Sequence, residues 1–203
     1  MTFHPIMPYG EGHHRSDRVL LPKGEPFAYT KERAAELEEI CGKYPPERRK
    51  SAVLAALYLV QDQQGYLTAN ALRHVAQFLR ITPAEVEDVA SYYVMFFKAP
   101  VGKYVLQVCR TLSCALGGAE RVVESLSEKL GIKVGETDAS GMFTLLEFEC
   151  LGACDRAPVI MVNDAWHECA RPEDARKLLD DIRARGEAAL TGCVHVVENK
   201  QNA

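Results

Sequence analysis

The sequence predicts an α+β (or α/β) protein in two parts, a small helical bundle followed by a mixed domain of strands and helices. Three observations carry that expectation. From about Tyr29 to Met95 apolar residues return at three- and four-residue steps, Pro100 and Gly102 then break the pattern, and from Tyr104 onward the runs take the short spacing of strands. The segments are an extended arm over 1–28, a four-helix bundle over 29–98, a mixed domain over 99–190 and a tail over 191–203.

The arm is rich in Pro, Gly and His and has no period. Its His4, His13 and His14 sit among turn formers without a partner cysteine, which suits a solvated or partner-wrapping segment better than a metal site. Phe3, Ile6, Tyr9 and Val19 to Leu21 are apolar with no local element to join, so the arm is expected to pack on another subunit.

The first helix is expected through Ala34, Leu37, Ile40 and Cys41, with Cys41 in the core and the stop at Gly42 to Pro46. Arg48 to Gln64 forms the second, ended by Gly65, with Val53, Leu54, Leu57, Tyr58 and Val60 inward. Thr68 opens the third through Leu72, Val75, Ala76 and Leu79. Thr82-Pro83-Ala84-Glu85 starts the fourth as a capping box with proline at the first helical position. Val86, Val89, Ala90, Tyr93 and Phe97 continue it at helical spacing, and the aromatic run Tyr92, Tyr93, Phe96 and Phe97 is expected mainly in the core.

Beyond the break at Lys98 to Lys103, strands are expected at Tyr104 to Val108, Phe143 to Phe148, Pro158 to Val162 and Ala165 to Glu168. A helix over Gly118 to Leu130 turns Val122, Val123, Leu126 and Leu130 inward and stops at Gly131. The last helix, Pro172 to Arg185, carries Ala175, Leu178, Leu179 and Ile182 on one face. It lacks the usual Ser, Thr or Asp before its proline, so a loose start is expected.

Composition narrows the function. The chain has 203 residues, 47% hydrophobic and 26% charged, the profile of an ordinary globular protein. A net charge of -4 argues against nucleic acid or an anionic membrane surface as the main partner. The longest apolar run, Ala52 to Val60, is far too short to span a bilayer, so no direct membrane insertion is expected. The first residues lack the marks of a signal or transit peptide. Seven cysteines, an odd count, fit a reducing compartment that leaves thiols available for metal. No G-x-G-x-x-G follows a strand and no P-loop is present, so nicotinamide or nucleotide binding is not expected in this chain.

Four of those cysteines carry the chemistry. Cys109 and Cys114 form a C-x4-C pair, Cys150 and Cys154 a C-x3-C pair, with 35 residues between the pairs. Each pair follows an apolar run, so its first cysteine lies where a strand opens into a loop, and small residues follow that let backbone N–H groups approach sulfur. Four thiolates in two pairs match the ligand count of an iron-sulfur cluster. The same set could hold zinc in a structural module, although zinc ribbons favour tighter spacing, and a thiol-disulfide oxidoreductase would carry C-x2-C. Glu147, Glu149 and Asp155 would lower a cluster's potential, while Arg110 and Arg156 oppose them. Cys169 and Cys193 lie outside this set. Cys169 is expected to be buried or inert, with reversible oxidation as the sharper alternative, and Cys193 to be exposed or partner-covered.

These cysteines, with the phrases Cys150-Leu-Gly-Ala-Cys154 to Ala157-Pro158, Tyr44-Pro-Pro-Glu-Arg-Arg-Lys-Ser-Ala52, Gln61-Asp-Gln-Gln-Gly65, His74-Val-Ala-Gln-Phe78 and Pro100-Val-Gly-Lys-Tyr104, resemble a known family. It is the thioredoxin-like 2Fe-2S ferredoxin subunit of respiratory NADH:quinone oxidoreductase (complex I), and the resemblance runs from about Phe27 to Arg185. It implies a thioredoxin-like second domain and one 2Fe-2S cluster on Cys109, Cys114, Cys150 and Cys154. It implies also an electron-transfer role beside a partner flavoprotein that holds FMN and NADH, among other peripheral-arm subunits. The location implied is cytoplasmic, peripheral to the inner (plasma) membrane. Related subunits serve NAD-dependent formate dehydrogenases and NAD(P)-linked hydrogenases.

Overall fold

The structure, a computed structural model, describes residues 21–190. The expectations for residues 1–20, including the three arm histidines, and for Cys193 in the tail lie outside the described residues. The chain divides into two compact units between Val101 and Gly102.

The first unit is helical. Residues 21–30 are extended, and the Pro22 and Lys23 carbonyls accept the N–H groups of Ala69 and Asn70 at 2.9 and 3.1 Å, satisfying donors that a helix start leaves open. Helix α1 (Lys31–Cys41) starts at Thr30, whose hydroxyl accepts the Arg33 N–H. Its Leu37 and Cys41 are buried, as the spacing requires. The second expected helix is two pieces, a 3-10 turn over Pro46–Ala52 and helix α2 (Val53–Gln64), with Arg48 outside helical geometry. Gly65, at φ +87°, ends α2. Helix α3 (Ala69–Leu79) begins at Thr68 and buries Leu72, Val75, Ala76 and Leu79. Helix α4 (Pro83–Tyr92) carries the expected capping box, Thr82 accepting from the Glu85 N–H and Glu85 from the Thr82 N–H.

Two expectations in this unit change. The buried residues of α2 are Ala56, Leu57, Leu59 and Val60, while Tyr58 is 43% exposed, its ring edge against Phe96. A helix hydrophobic almost all round gives periodicity little to choose between, and small Ala56 takes the close approach. The aromatic run divides because α4 stops at Tyr92, with Tyr93 already extended. Phe96 is buried, Tyr93 and Phe97 are half-buried, and Tyr92 is 79% exposed.

The second unit is a four-stranded sheet of order β2-β1-β3-β4, with β1 Tyr104–Cys109, β2 Phe143–Phe148, β3 Ile160–Val162 and β4 Ala165–His167. β1 and β2 are parallel, while β3 runs antiparallel to both β1 and β4. A short helix α5 (Leu112–Leu116) and helix α6 (Ala119–Leu130) make the crossover between the parallel strands, which cannot be joined by a tight turn. Helix α7 (Pro172–Arg185) packs on α6. The core joins alternate strand residues, Tyr104, Leu106, Val108, Phe143, Leu145, Ile160 and Val162, to Val122 and Leu126 of α6 and to Ala175, Leu179 and Ile182 of α7.

Gly102 opens this unit where a Cβ would come within 2.9 Å of the Phe143 backbone, and its N–H donates to Thr144 Oγ1 at 2.6 Å. Only glycine fits that approach. The third strand is shorter than expected because Pro158 has no N–H for a ladder, while the Val159 carbonyl accepts from Cys109 instead. The expected loose start of α7 is also corrected. Asp174, at the third position, accepts the Arg171 N–H at 3.4 Å and replaces the missing cap.

Candidate metal centre

Register brings the two cysteine pairs to one end of the sheet. Cys109 is the last residue of β1 and stands opposite Phe148, the last of β2, in a parallel pair. The Arg110 N–H donates to the Phe148 carbonyl at 2.9 Å, so both chains leave the sheet at the same level. One leads into α5, which holds Cys114; the other reaches Cys150 two residues later and Cys154 at a 3-10 turn, Cys154–Arg156. Helix α5 and that turn are in contact. At the join, a Cβ on Gly117 would lie 3.1 Å from Pro158 Cδ.

The four thiols differ in exposure. Cys109 and Cys114 are buried, each 2% exposed, whereas Cys150 and Cys154 face outward. Cys150 and Cys154 have their sulfurs 3.7 Å apart. The Gly152 N–H points at Cys150 Sγ from 3.4 Å, and the Thr111 hydroxyl is 3.3 Å from Cys109 Sγ. Gly152 holds φ +84°, which an L side chain rarely adopts, and it is the residue that turns the loop's N–H onto sulfur.

The thiols feel one another. Burial pushes the Cys109 thiol up, but donors from Thr111, from the Leu151 and Thr111 N–H groups and from Cys114 outweigh it and hold Cys109 below an ordinary thiol. Burial, with the donation to Cys109, pushes Cys114 up to about 11; the charges of Cys109 and Cys154 act in the same direction. Cys154 is raised by its hydrogen bond to Cys150 and then by the charges of Cys150 and Cys109. The charges of neighbouring thiols make Cys114 and Cys154 harder to ionise, and a cation bound among them would relieve that repulsion. Among the described residues, however, no three His, Cys, Asp or Glu side chains stand closed around a single ion position. Electrostatic coupling links Cys109 to Cys114 and Cys154, and Cys154 to Cys150, with the N–H groups of Thr111, Leu151 and Gly152 directed at sulfur. Donor chemistry and the N–H groups fit a cluster with four thiolate ligands.

Flanking charges pair off locally. Arg110 meets Glu147 at 3.4 Å, and Arg156 lies 3.6 Å from Asp155 and 4.0 Å from Glu168. The opposed charges read from the sequence therefore partly cancel where they stand. Cys169 is exposed, at φ +50°, which corrects the expectation that it is buried. Three contributors were not read from the sequence: Thr111, the short helix α5 with exposed Leu112 and Leu116, and Trp166, whose ring lies by Gly152. Thr111, two residues after Cys109, was accessible to sequence reasoning; Trp166 arrives only through the fold.

Residues 37–183 match the model of a family described as thioredoxin-like 2Fe-2S ferredoxin. The chain is 44% identical over 149 residues to NADH-quinone oxidoreductase subunit 2 of Thermus thermophilus, covering 73% of this chain and 82% of that protein. It is 40% identical over 158 residues to an NADH-quinone oxidoreductase subunit of Rickettsia bellii, covering 77% and 95%. Among solved structures, an NAD+-reducing NiFe hydrogenase in its H2-reduced state resembles it with a TM-score of 0.57 at 22% identity, a likeness of fold. That match covers 66% of this chain and 22% of the hydrogenase chain, of which this protein spans about a fifth.

Proposed function

The chain belongs to the thioredoxin-like 2Fe-2S ferredoxin family, and on that premise we propose that it is the electron-transfer subunit of an NADH-quinone oxidoreductase, holding one 2Fe-2S cluster on Cys109, Cys114, Cys150 and Cys154. The observation that carries the reading is the parallel register of Cys109 with Phe148, which delivers both cysteine pairs to one end of the sheet. Bound there, the cluster supplies one-electron oxidation and reduction.

The chain's own residues determine how that chemistry is used. Four protein thiolates leave no open coordination position, so no substrate bond is made or broken at this site. Leu151 and Ala153 turn inward and, with buried Cys109 and Cys114, keep water from the inner side. Thr111 and the Gly152 N–H stabilise negative charge on the sulfurs they face, which favours thiolate and tunes the potential. Cys150 and Cys154 lie on the outer side, where an electron is exchanged with a partner. That partner is a flavoprotein subunit with FMN and NADH, within a peripheral arm on the cytoplasmic side of the membrane. No helix among the described residues is long and apolar enough to cross a membrane, which is consistent with peripheral attachment.

An equivalent place in an NAD(P)-linked hydrogenase or a formate dehydrogenase has weaker support. The hydrogenase likeness is one of fold at 22% identity, against 40% and 44% for the NADH-quinone oxidoreductase relatives.

Replacement of single cysteines tests the ligand assignment. C109S and C150S are each expected to abolish or strongly shift the visible absorption and the EPR signal of the reduced protein, whereas C169S leaves both unchanged. An unaltered spectrum in C109S or C150S removes that residue from the ligand set.

A further inference from the structure

Trp166 is the chain's only tryptophan. It stands on β4, at the edge of the sheet, opposite Met161 of β3, and its Nε1 lies 3.0 Å from Met161 Sδ. The residue is 40% exposed and takes no part in the hydrophobic core. Edge strands usually present charged or polar residues outward, so a large aromatic there needs another reason. Its ring supplies one: Cη2 lies 4.0 Å from the position a Cβ on Gly152 would take. Gly152 is the outward tip of a loop that turns Leu151 and Ala153 inward and leaves Cys150 and Cys154 exposed. The indole therefore lies beside the backbone of the more exposed cysteine pair.

We propose that Trp166 is a positioning residue for that pair: the indole shields one side of the otherwise exposed Gly152, keeps its N–H directed at Cys150 Sγ and restricts, from that side, the access of water and chelators to the two outer sulfurs. An N–H to sulfur bond gains strength where water is excluded, and an indole gives broad apolar cover from one side chain. Met161 holds the ring at its edge, its sulfur accepting the indole N–H. The inference rests on the cluster reading above.

The test uses the full chain, reconstituted with iron and sulfide under anaerobic conditions, as wild type, W166F and W166A. Tryptophan emission of the wild type is expected to fall on cluster assembly, because the single indole lies beside the absorbing centre. Iron release to a coloured chelator is expected to be roughly tenfold faster in W166A, as for other residues that support metal ligands. W166F, which keeps an aromatic ring, is expected to stay close to wild type. The melting temperature of the iron-free proteins, measured in parallel, separates loss of cover from loss of folding.

Release from W166A at the wild-type rate, or emission unchanged by assembly, overturns the proposal. If W166A does not fold, the emission measurement on the wild type still decides. A wild type that assembles the cluster while W166A behaves identically refutes the role of Trp166 alone; a wild type that takes up no iron refutes the cluster reading as well.

Discussion

Single residues do two kinds of work here, holding sulfur and holding backbone. Gly152 and Thr111 belong to the first kind and Asp138 to the second. The Asp138 carboxylate accepts the N–H groups of Met142 and Phe143 at 2.8 and 3.0 Å and the Ser140 hydroxyl at 2.6 Å, closing the turn that feeds β2. Burial pushes its carboxyl up, but those donors and the Arg183 charge outweigh it and hold it below the ordinary carboxylate range. The sign follows: a depressed folded value means that stability is present above the unfolded value of about 3.9 and is lost as pH falls through the folded value. D138N is expected to lower stability by about 1 kcal/mol at neutral pH, the scale of one net hydrogen bond, and to flatten the acid limb. Urea unfolding at neutral pH and at pH values below the unfolded value checks this, and equal losses at both would contradict it. At this scale the four ligand candidates were legible in the sequence, because spacing and strand ends are one-dimensional facts. The inner and outer character of the two pairs was not, since Cys114 is buried by α5 and Cys154 exposed on its turn through folding alone.

At the scale of elements, capping was the most legible feature. Thr82-Pro83-Ala84-Glu85 reads as a helix start and forms one, and Thr68 does the same for α3. Helix ends near aromatics were less so: Tyr93 and Phe97 keep helical spacing, yet the chain turns extended at Tyr93. The packing of α6 on α7 was missed for a physical reason. Their contact includes a buried serine, Ser125, whose hydroxyl donates to the Pro172 carbonyl at 3.0 Å and accepts from Arg176 Nε at 2.7 Å. Arg176 also reaches Glu128 at 2.7 Å. A hydrophobic pattern cannot see a polar residue that is buried because two partners satisfy it. S125A is expected to destabilise the protein by about 1 kcal/mol, because it removes two hydrogen bonds whose partners keep other partners or water. R176A, on the exposed side of the same network, is expected to cost less than S125A. Denaturant midpoints of the two variants check the order, and a larger loss in R176A would contradict it.

For the whole molecule, the two units answer to different sequence signals. The helical unit follows 3.6-residue periodicity and threonine caps, while the second unit depends on a parallel strand pair joined across two helices, a pairing that no local pattern specifies. The family resemblance supplied that topology, and the register of β1 with β2 shows why it matters, since slipping it by one residue would turn Cys109 to the other face. If the chain works beside a flavoprotein, NADH alone should leave the isolated protein oxidised, because no nucleotide-binding motif appears in the sequence. Reduction by NADH in the isolated chain would contradict the division of labour. The most direct measurement is made on anaerobically purified protein, with iron, sulfide and zinc counted on the sample used for absorption and EPR spectra. Two irons and two sulfides per chain, a red-brown colour and a rhombic S = 1/2 signal on reduction are expected. A colourless protein with one zinc, unchanged after reconstitution with iron and sulfide, would contradict the cluster reading.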